Sequence, residues 1–447
     1  MLGPNTSLMA IGKRFAVFAV CEKSINIYSH KVGPFFYINQ FKHCTHLIRI
    51  PLESFTQLAA NVGDPPPNTK FVLLSNTGRC GSTLLTQLFE QLPNTVAISE
   101  PEVLMEFSHN NTFDEFPKAK QSLLLQSCIS LLFKSASQSK INKDPSEIDS
   151  LVIKPKAHGI YVARDLNALY PNIKNLFMYR HPVEYVKSVR SVYFSLLHPI
   201  VRHVMVYAAF DLNMYEFIMR QFGQRFEDPK NAYSKMLATA IKDLDVDHNL
   251  EERFAALYCG NMLSIMSMAS SGINKVHVVS YHELKEDTQD NMKQILKHCD
   301  MQQNSEEGDE KDSLVPHLPE NDSQNNSGLS RSRLRSYQTA LKDKEILVVD
   351  KVLKLCGFPT CDKFPIESNE LSDILGTSKA QYNSPTSRLS NPRYISSEPY
   401  LKPPMSTKNP LKDMNGGVRS ESNDLLKNRT PSIVNNKSLW LPVNRFF

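Results

Sequence analysis

Residues 75 to 85 read Ser75-Asn76-Thr77-Gly78-Arg79-Cys80-Gly81-Ser82-Thr83-Leu84-Leu85, and these residue types in this order suit the capture of an anion. Gly78 and Gly81 let the backbone bend and approach oxygen atoms closely. Ser82 and Thr83 supply hydroxyl donors. Arg79 supplies a planar cation whose N–H groups match phosphate or sulfate oxygens. A helix opening near Ser82 would turn its first N–H groups and the positive end of its dipole toward the same anion. The nearest general pattern, the nucleotide loop G-x-x-x-x-G-K-[ST], is not met. Gly78 and Gly81 stand too close together, and no lysine precedes Ser82. An ATP- or GTP-using enzyme would therefore need an unusual loop. A tight strand–helix turn with no ligand is the plain alternative.

A second candidate anion site is Leu176-Phe177-Met178-Tyr179-Arg180-His181-Pro182, continuing to Ser188. Arg180 leaves the end of an apolar run, where open parallel sheets bind their ligands. Pro182 suits the first turn of a helix. Ser188 then lies about a turn and a half in and can face the same pocket. One arginine or one serine of this kind is ordinary surface. Two such segments in order, each after a strand, are not.

Together the segments resemble the sulfotransferases that use 3′-phosphoadenosine 5′-phosphosulfate. The run Arg79-Cys80-Gly81-Ser82-Thr83 is closest to the branch that sulfates carbohydrates or protein tyrosines, with Cys80 where that branch has serine. The resemblance covers about residues 70–358. It implies that Gly78, Arg79, Cys80, Gly81, Ser82 and Thr83 hold the 5′-phosphosulfate end of this co-substrate, and that Arg180 and Ser188 hold its 3′-phosphate. It implies a P-loop-like α/β fold, no metal, and a hydroxylated acceptor, carbohydrate by branch. It also places the catalytic base at Glu100, which ends a strand 21 residues after Arg79, with Glu102 adjacent. Lys154, at the end of another strand, would contact the transferring sulfonate or the bridging oxygen, and Arg79 would stabilise the charge growing on that oxygen. Small-molecule members carry a catalytic histidine two residues after that lysine. Lys156 stands there in this chain and His158 follows two later, which favours Glu100 as the base and leaves His158 as the alternative. Ser280-Tyr281-His282-Glu283-Leu284 resembles the family's late strand, and Arg331, Arg333 and Arg335 stand where relatives place a basic loop over the nucleotide. Sulfuryl transfer resembles phosphoryl transfer in its loose transition state, so positioning and charge stabilisation dominate. Three functions stay open: an active sulfotransferase, a catalytically silent binding protein of the same fold, and a phosphoryl-transfer P-loop enzyme.

These residues need strand ends to hold them. Lys70–Ser75 is an apolar run bounded by turn residues and reads as a buried parallel strand. Leu84, Leu85, Leu88, Phe89 and Leu92 follow at helical spacing over Ser82–Leu92. Further strands are expected at Val96–Ser99, Ser150–Lys154, Asn175–Arg180 and Lys275–Tyr281. Helices are expected at 117–136, Val183–Phe194, Asp287–Cys299, 337–357 and, broken near Asp228-Pro229, across 200–270. Alternating strands and helices predict a three-layer α/β sandwich around a central parallel sheet. Residues 1–69 are read as an N-terminal extension packed on the core, 70–365 as the α/β domain with a polar loop at 302–329, and 366–447 as a disordered tail.

The bulk numbers narrow the function classes. The chain has 447 residues and a 41% hydrophobic fraction, enough for a sizeable core. A net charge of +5 with no clustered basic stripe fits a small anionic ligand, and no nucleic-acid partner is expected. The eight cysteines form no C-x-x-C pair, which predicts buried, reduced thiols and no zinc site. No segment reaches the roughly 18 apolar residues of a membrane span. The short run Phe15–Cys21 after Lys13 and Arg14 makes only a weak signal peptide. A cytoplasmic protein is expected, with the Golgi lumen or secretory pathway as the alternative because sequons stand at Asn5, Asn110, Asn321, Asn325, Asn428 and Asn436.

Overall fold

A computed structural model of the chain describes residues 3–107, 113–140, 144–196, 232–270, 276–301 and 340–373, apart from Pro4, Asp114, Asp247 and His248. The first elements are three antiparallel strands, β1 (Thr6–Ile11), β2 (Phe15–Cys21) and β3 (Cys44–Pro51), in the order β1-β2-β3. Gly12 closes the β1–β2 turn through its N–H to the Phe15 carbonyl at 2.9 Å. The apolar run after Lys13 and Arg14 is therefore the middle strand of a sheet. Its Ala16, Phe18 and Ala19 are buried in the core, with Phe18 against Phe55.

The main sheet contains β4 (Lys70–Asn76), β5 (Thr95–Ser99), β6 (Ser150–Lys154), β7 (Lys174–Tyr179) and β8 (Val276–Ser280), all parallel, in the order β5-β6-β4-β7-β8. The middles of its strands are apolar on both sides because both faces are covered. Val72, Leu74, Ala97, Val152, Leu176 and Met178 pack with Leu85, Leu88 and Phe89 of helix Ser82–Gln91 and with Met292 and Ile295 of helix Thr288–His298. The alternate residues, among them Leu73, Ile98, Ile153 and Phe177, pack on the other face. Their partners include Ile129 of helix Lys118–Gln138 and Phe254 of helix Leu250–Ser270. The result is the expected α/β architecture: a parallel sheet between two helical layers.

Two helices, Ala232–Lys242 and Leu250–Ser270, occupy the described part of 200–270. Pro182 opens the helix Pro182–Leu196, and Asp343–Leu355 is the last long helix among the described residues. The expected polar loop at 302–329 and the arginines Arg331, Arg333 and Arg335 lie outside the described residues. Residues just past 365, which composition assigns to the tail, are packed. Leu371 is buried, Tyr179 Oη donates to the carbonyls of Pro365 and Glu367, and Ser280 Oγ donates to that of Ile366. All the cysteines except Cys44 are buried. Among the described residues no helix is long and apolar enough to cross a membrane.

Candidate functional site

Sheet order decides which side chains meet. β4 lies between β6 and β7, so loops leaving its C-terminal end face those leaving both neighbours. Asn76 is in register with Met178, and Ser99 with Lys154. The residues immediately beyond these pairs are the ones with chemistry: the loop 77–81, Arg180 and Glu100.

The loop Thr77–Gly81 turns through left-handed backbone at Gly78 (φ 82°), Arg79 (φ 50°) and Gly81 (φ 84°). Asn76 braces it, its Oδ1 accepting from Gly78 N–H at 2.9 Å and its Nδ2 donating to the Pro155 carbonyl at 3.2 Å. The base of the loop is tied to β7 by Thr77 N–H to the Met178 carbonyl at 3.0 Å. Gly81 is the N-cap of helix Ser82–Gln91. A Cβ there would sit 2.4 Å from Tyr281 Cδ2. Gly81→Ala is therefore expected to destabilise the protein by about 1–3 kcal/mol from the backbone alone, with the displaced ring adding to that. An unchanged thermal midpoint would contradict this loop geometry.

The two candidate anion segments meet. Arg79 Nε donates to Ser188 Oγ at 3.2 Å, and Arg180 Nη1 reaches the Arg79 carbonyl at 3.4 Å. Burial and then the neighbouring charge of Arg180 push the Arg79 pKa down, partly offset by Glu100. Arg79 has no carboxylate within 4 Å among the described residues, and a guanidinium stays charged at neutral pH. Arg180 is held from three sides. Glu184 Oε2 is 3.0 Å from its Nη2, the Tyr281 ring lies 4.6 Å away, and Tyr258 Oη donates to its carbonyl at 2.9 Å. Its Nε is buried, with no hydrogen-bond partner among the described residues. Two adjacent guanidiniums, one with a buried donor that no described residue satisfies, make a cradle suited to an anion.

On the other side of β4, Lys154 Nζ hydrogen-bonds Glu100 Oε1, both side chains being largely buried. Glu100 adopts a left-handed conformation (φ 59°), rare outside glycine, asparagine and aspartate. That turn lets its N–H bond the Lys154 carbonyl at 2.6 Å while its carboxylate returns to the Lys154 ammonium. Strain of this size persists where the surroundings impose it, and such positions cluster at functional sites. Two residues further along each chain, Lys156 Nζ pairs with Glu102 Oε2 at 2.7 Å.

Gly78, Arg79, Gly81, Ser82, Thr83, Glu100, Lys154, Arg180 and Ser188 thus all lie at the C-terminal edge of one sheet. The Cys80 side chain points away into the sheet–helix core, where burial pushes its thiol pKa up; only its backbone is left to face an anion. His158 is in the 3₁₀ turn Ala157–Tyr161, and its side chain is not among the described ones. Sequence reasoning missed Tyr281, Tyr258 and the bracing role of Asn76. Their signal was indirect: the two tyrosines follow from knowing that the end of β8 and helix Leu250–Ser270 flank Arg180, and the role of Asn76 from knowing that β6 lies beside β4.

No family model matches the sequence, and no curated protein matches it. The solved structures similar to the chain include two sulfotransferases. The sulfotransferase domain from the curacin biosynthetic pathway is 13% identical, covering 66% of this chain and 99% of that one with a TM-score of 0.32. Sulfotransferase STF9 from Mycobacterium avium is 12% identical, covering 71% of this chain and 82% of that one with a TM-score of 0.34. Similarity at this level assigns no activity, so the chemistry has to come from the side chains at the sheet edge.

Proposed function

We propose that the chain is a sulfotransferase that moves a sulfonate group from 3′-phosphoadenosine 5′-phosphosulfate to an acceptor hydroxyl. The observation that supports this reading is the meeting of Arg79, Ser188 and Arg180, two candidate anion-binding segments side by side around an Arg180 Nε that no described residue satisfies. A donor with phosphates at both ends of one nucleoside needs two such segments. The loop Gly78–Thr83 and the start of helix Ser82–Gln91 take the 5′ end, and Arg180 with Ser188 takes the 3′-phosphate.

In this reading Glu100 accepts the acceptor's proton as its oxygen bonds to sulfur. The bond between sulfur and the bridging oxygen breaks, and its electron pair leaves with adenosine 3′,5′-bisphosphate. Arg79 stabilises the charge growing on the bridging oxygen. Lys154 holds the Glu100 carboxylate in place and has further N–H donors for a sulfonate oxygen.

The test is selective stabilisation. At a hundred times its dissociation constant, adenosine 3′,5′-bisphosphate should add about 2.7 kcal/mol to folding stability, while ATP with Mg²⁺ adds little. Labelled sulfonate should then pass from the donor to a hydroxyl acceptor. Stabilisation by ATP–Mg²⁺ alone would end the reading.

A further inference from the structure

The acceptor side of the site has a second layer that the donor reading does not use. Lys154 and Lys156 alternate at the end of β6, and Glu100 and Glu102 do the same beyond β5, giving two ion pairs in sequence. Each lysine also lies over a ring from the N-terminal region, Lys154 Nζ 5.3 Å from the Phe35 centroid and Lys156 Nζ 4.2 Å from that of Tyr37. The two rings are 6.1 Å apart. Exposure rises outward, from 3% and 15% for the Lys154–Glu100 side chains to 12% and 27% for Lys156–Glu102. Phe35 is buried and Tyr37 half-buried. The rows therefore form an inner and an outer tier leading to Glu100.

The wall that supplies these rings is anchored at several points. Glu90 of helix Ser82–Gln91 accepts from the His30 N–H and contacts its Nδ1 at 2.9 Å. Asn26 Nδ2 donates to the Ser139 carbonyl at 2.9 Å. Asn39 Nδ2 donates to the carbonyls of Ile27 and Gly33 at 3.0 and 3.1 Å, and Tyr28 stacks on Phe36 at 4.6 Å. The aromatic tier is thus held against the phosphate-loop helix. Its electrostatics contrast with the donor side. Each acceptor-side lysine is matched by a carboxylate, whereas Arg79 has none in contact among the described residues.

We propose that Tyr37 and the Lys156–Glu102 pair form the acceptor subsite, and that it takes an uncharged hydroxyl compound with a flat apolar face, of which a neutral glycoside and a phenol are the two sources. This rests on the sulfotransferase reading. A ring lying on an aromatic side chain is recognised by its apolar face, while a matched ion pair supplies hydrogen bonds without net attraction for an anion.

The experiment uses the full chain, labelled donor and four acceptors: methyl β-D-galactopyranoside, 2-naphthol, an aspartate-rich tyrosine peptide and chondroitin. The expected result is transfer to one or both neutral compounds, the glycoside identifying a carbohydrate source and the naphthol a phenolic one. Tyr37→Ala should raise KM for that acceptor about tenfold with little change in bisphosphate affinity, and Tyr37→Phe should restore it. Glu102→Gln, which leaves Lys156 unmatched, should shift the kcat/KM ratio toward the anionic acceptors. Tight bisphosphate binding with transfer only to anionic acceptors, or to none of the four, overturns the subsite while the donor site stands. So does an unchanged KM in Tyr37→Ala. Failure to bind the bisphosphate removes the donor reading and the subsite together.

Discussion

Arg180→Ala is expected to weaken adenosine 3′,5′-bisphosphate binding by about 10- to 150-fold, the equivalent of one charged hydrogen bond of about 1.5–3 kcal/mol. The upper part of that range is favoured by the site's construction. The Arg180 side chain is already oriented by Glu184 and Tyr281, and its backbone by Tyr258, so little side-chain entropy is lost when an anion arrives. Its buried Nε has no other partner to give up among the described residues. Arg180→Lys keeps the charge and loses the planar fork, so it should fall between the two. Removing Arg180 also removes the like charge beside Arg79, a smaller effect that favours Arg79's charged form and opposes the loss. Calorimetry on the three proteins measures this directly. Equal affinities for wild type and Arg180→Ala would remove the 3′-phosphate site.

What could be read from the chain and what could not divides along sequence distance. β4, β6 and β7 were legible as unbroken apolar runs because a sheet covered on both faces leaves no polar alternation to confuse. The N-terminal sheet was not legible. β2 pairs with β3 across an intervening helix, Phe36–His43, and such pairing has no local signature. Phe15–Cys21 has the same composition in a strand as in the apolar part of a leader. Glu100 and Lys154 were each named at a strand end, yet their contact depended on β5 lying beside β6 rather than beside β4. Arg79 and Arg180 met for the same kind of reason, through the pairing of β4 with β7. Cys80 shows what a motif leaves out. Its position in the motif suggested a ligand contact, but the left-handed turns at Arg79 and Gly81 send its side chain into the core. The aromatic tier over Lys154 and Lys156 was beyond reach, because Phe35 and Tyr37 join the site only through the docking of the N-terminal region.

Glu100→Gln should lower kcat by about 10²–10⁴-fold, the usual contribution of a positioned general base, while leaving bisphosphate affinity close to wild type. The substitution isolates proton transfer. Glutamine keeps the shape of the side chain, and its Oε1 can still accept from Lys154, so the strained turn at Glu100 and the ends of β5 and β6 keep their support. It loses the capacity to take a proton. A larger side-chain deletion such as Glu100→Ala would confound the result by leaving the Lys154 ammonium buried and unpaired, at a cost of several kcal/mol. Lys154→Met provides the complementary measurement. It should depress kcat by removing both a sulfonate contact and the cation that holds Glu100, and combined with Glu100→Gln, which leaves no carboxylate unpaired, it should cost less than the sum of the two. Full turnover in Glu100→Gln together with its collapse in Glu102→Gln would move the base to the outer pair. Full turnover in both would leave His158 as the remaining candidate.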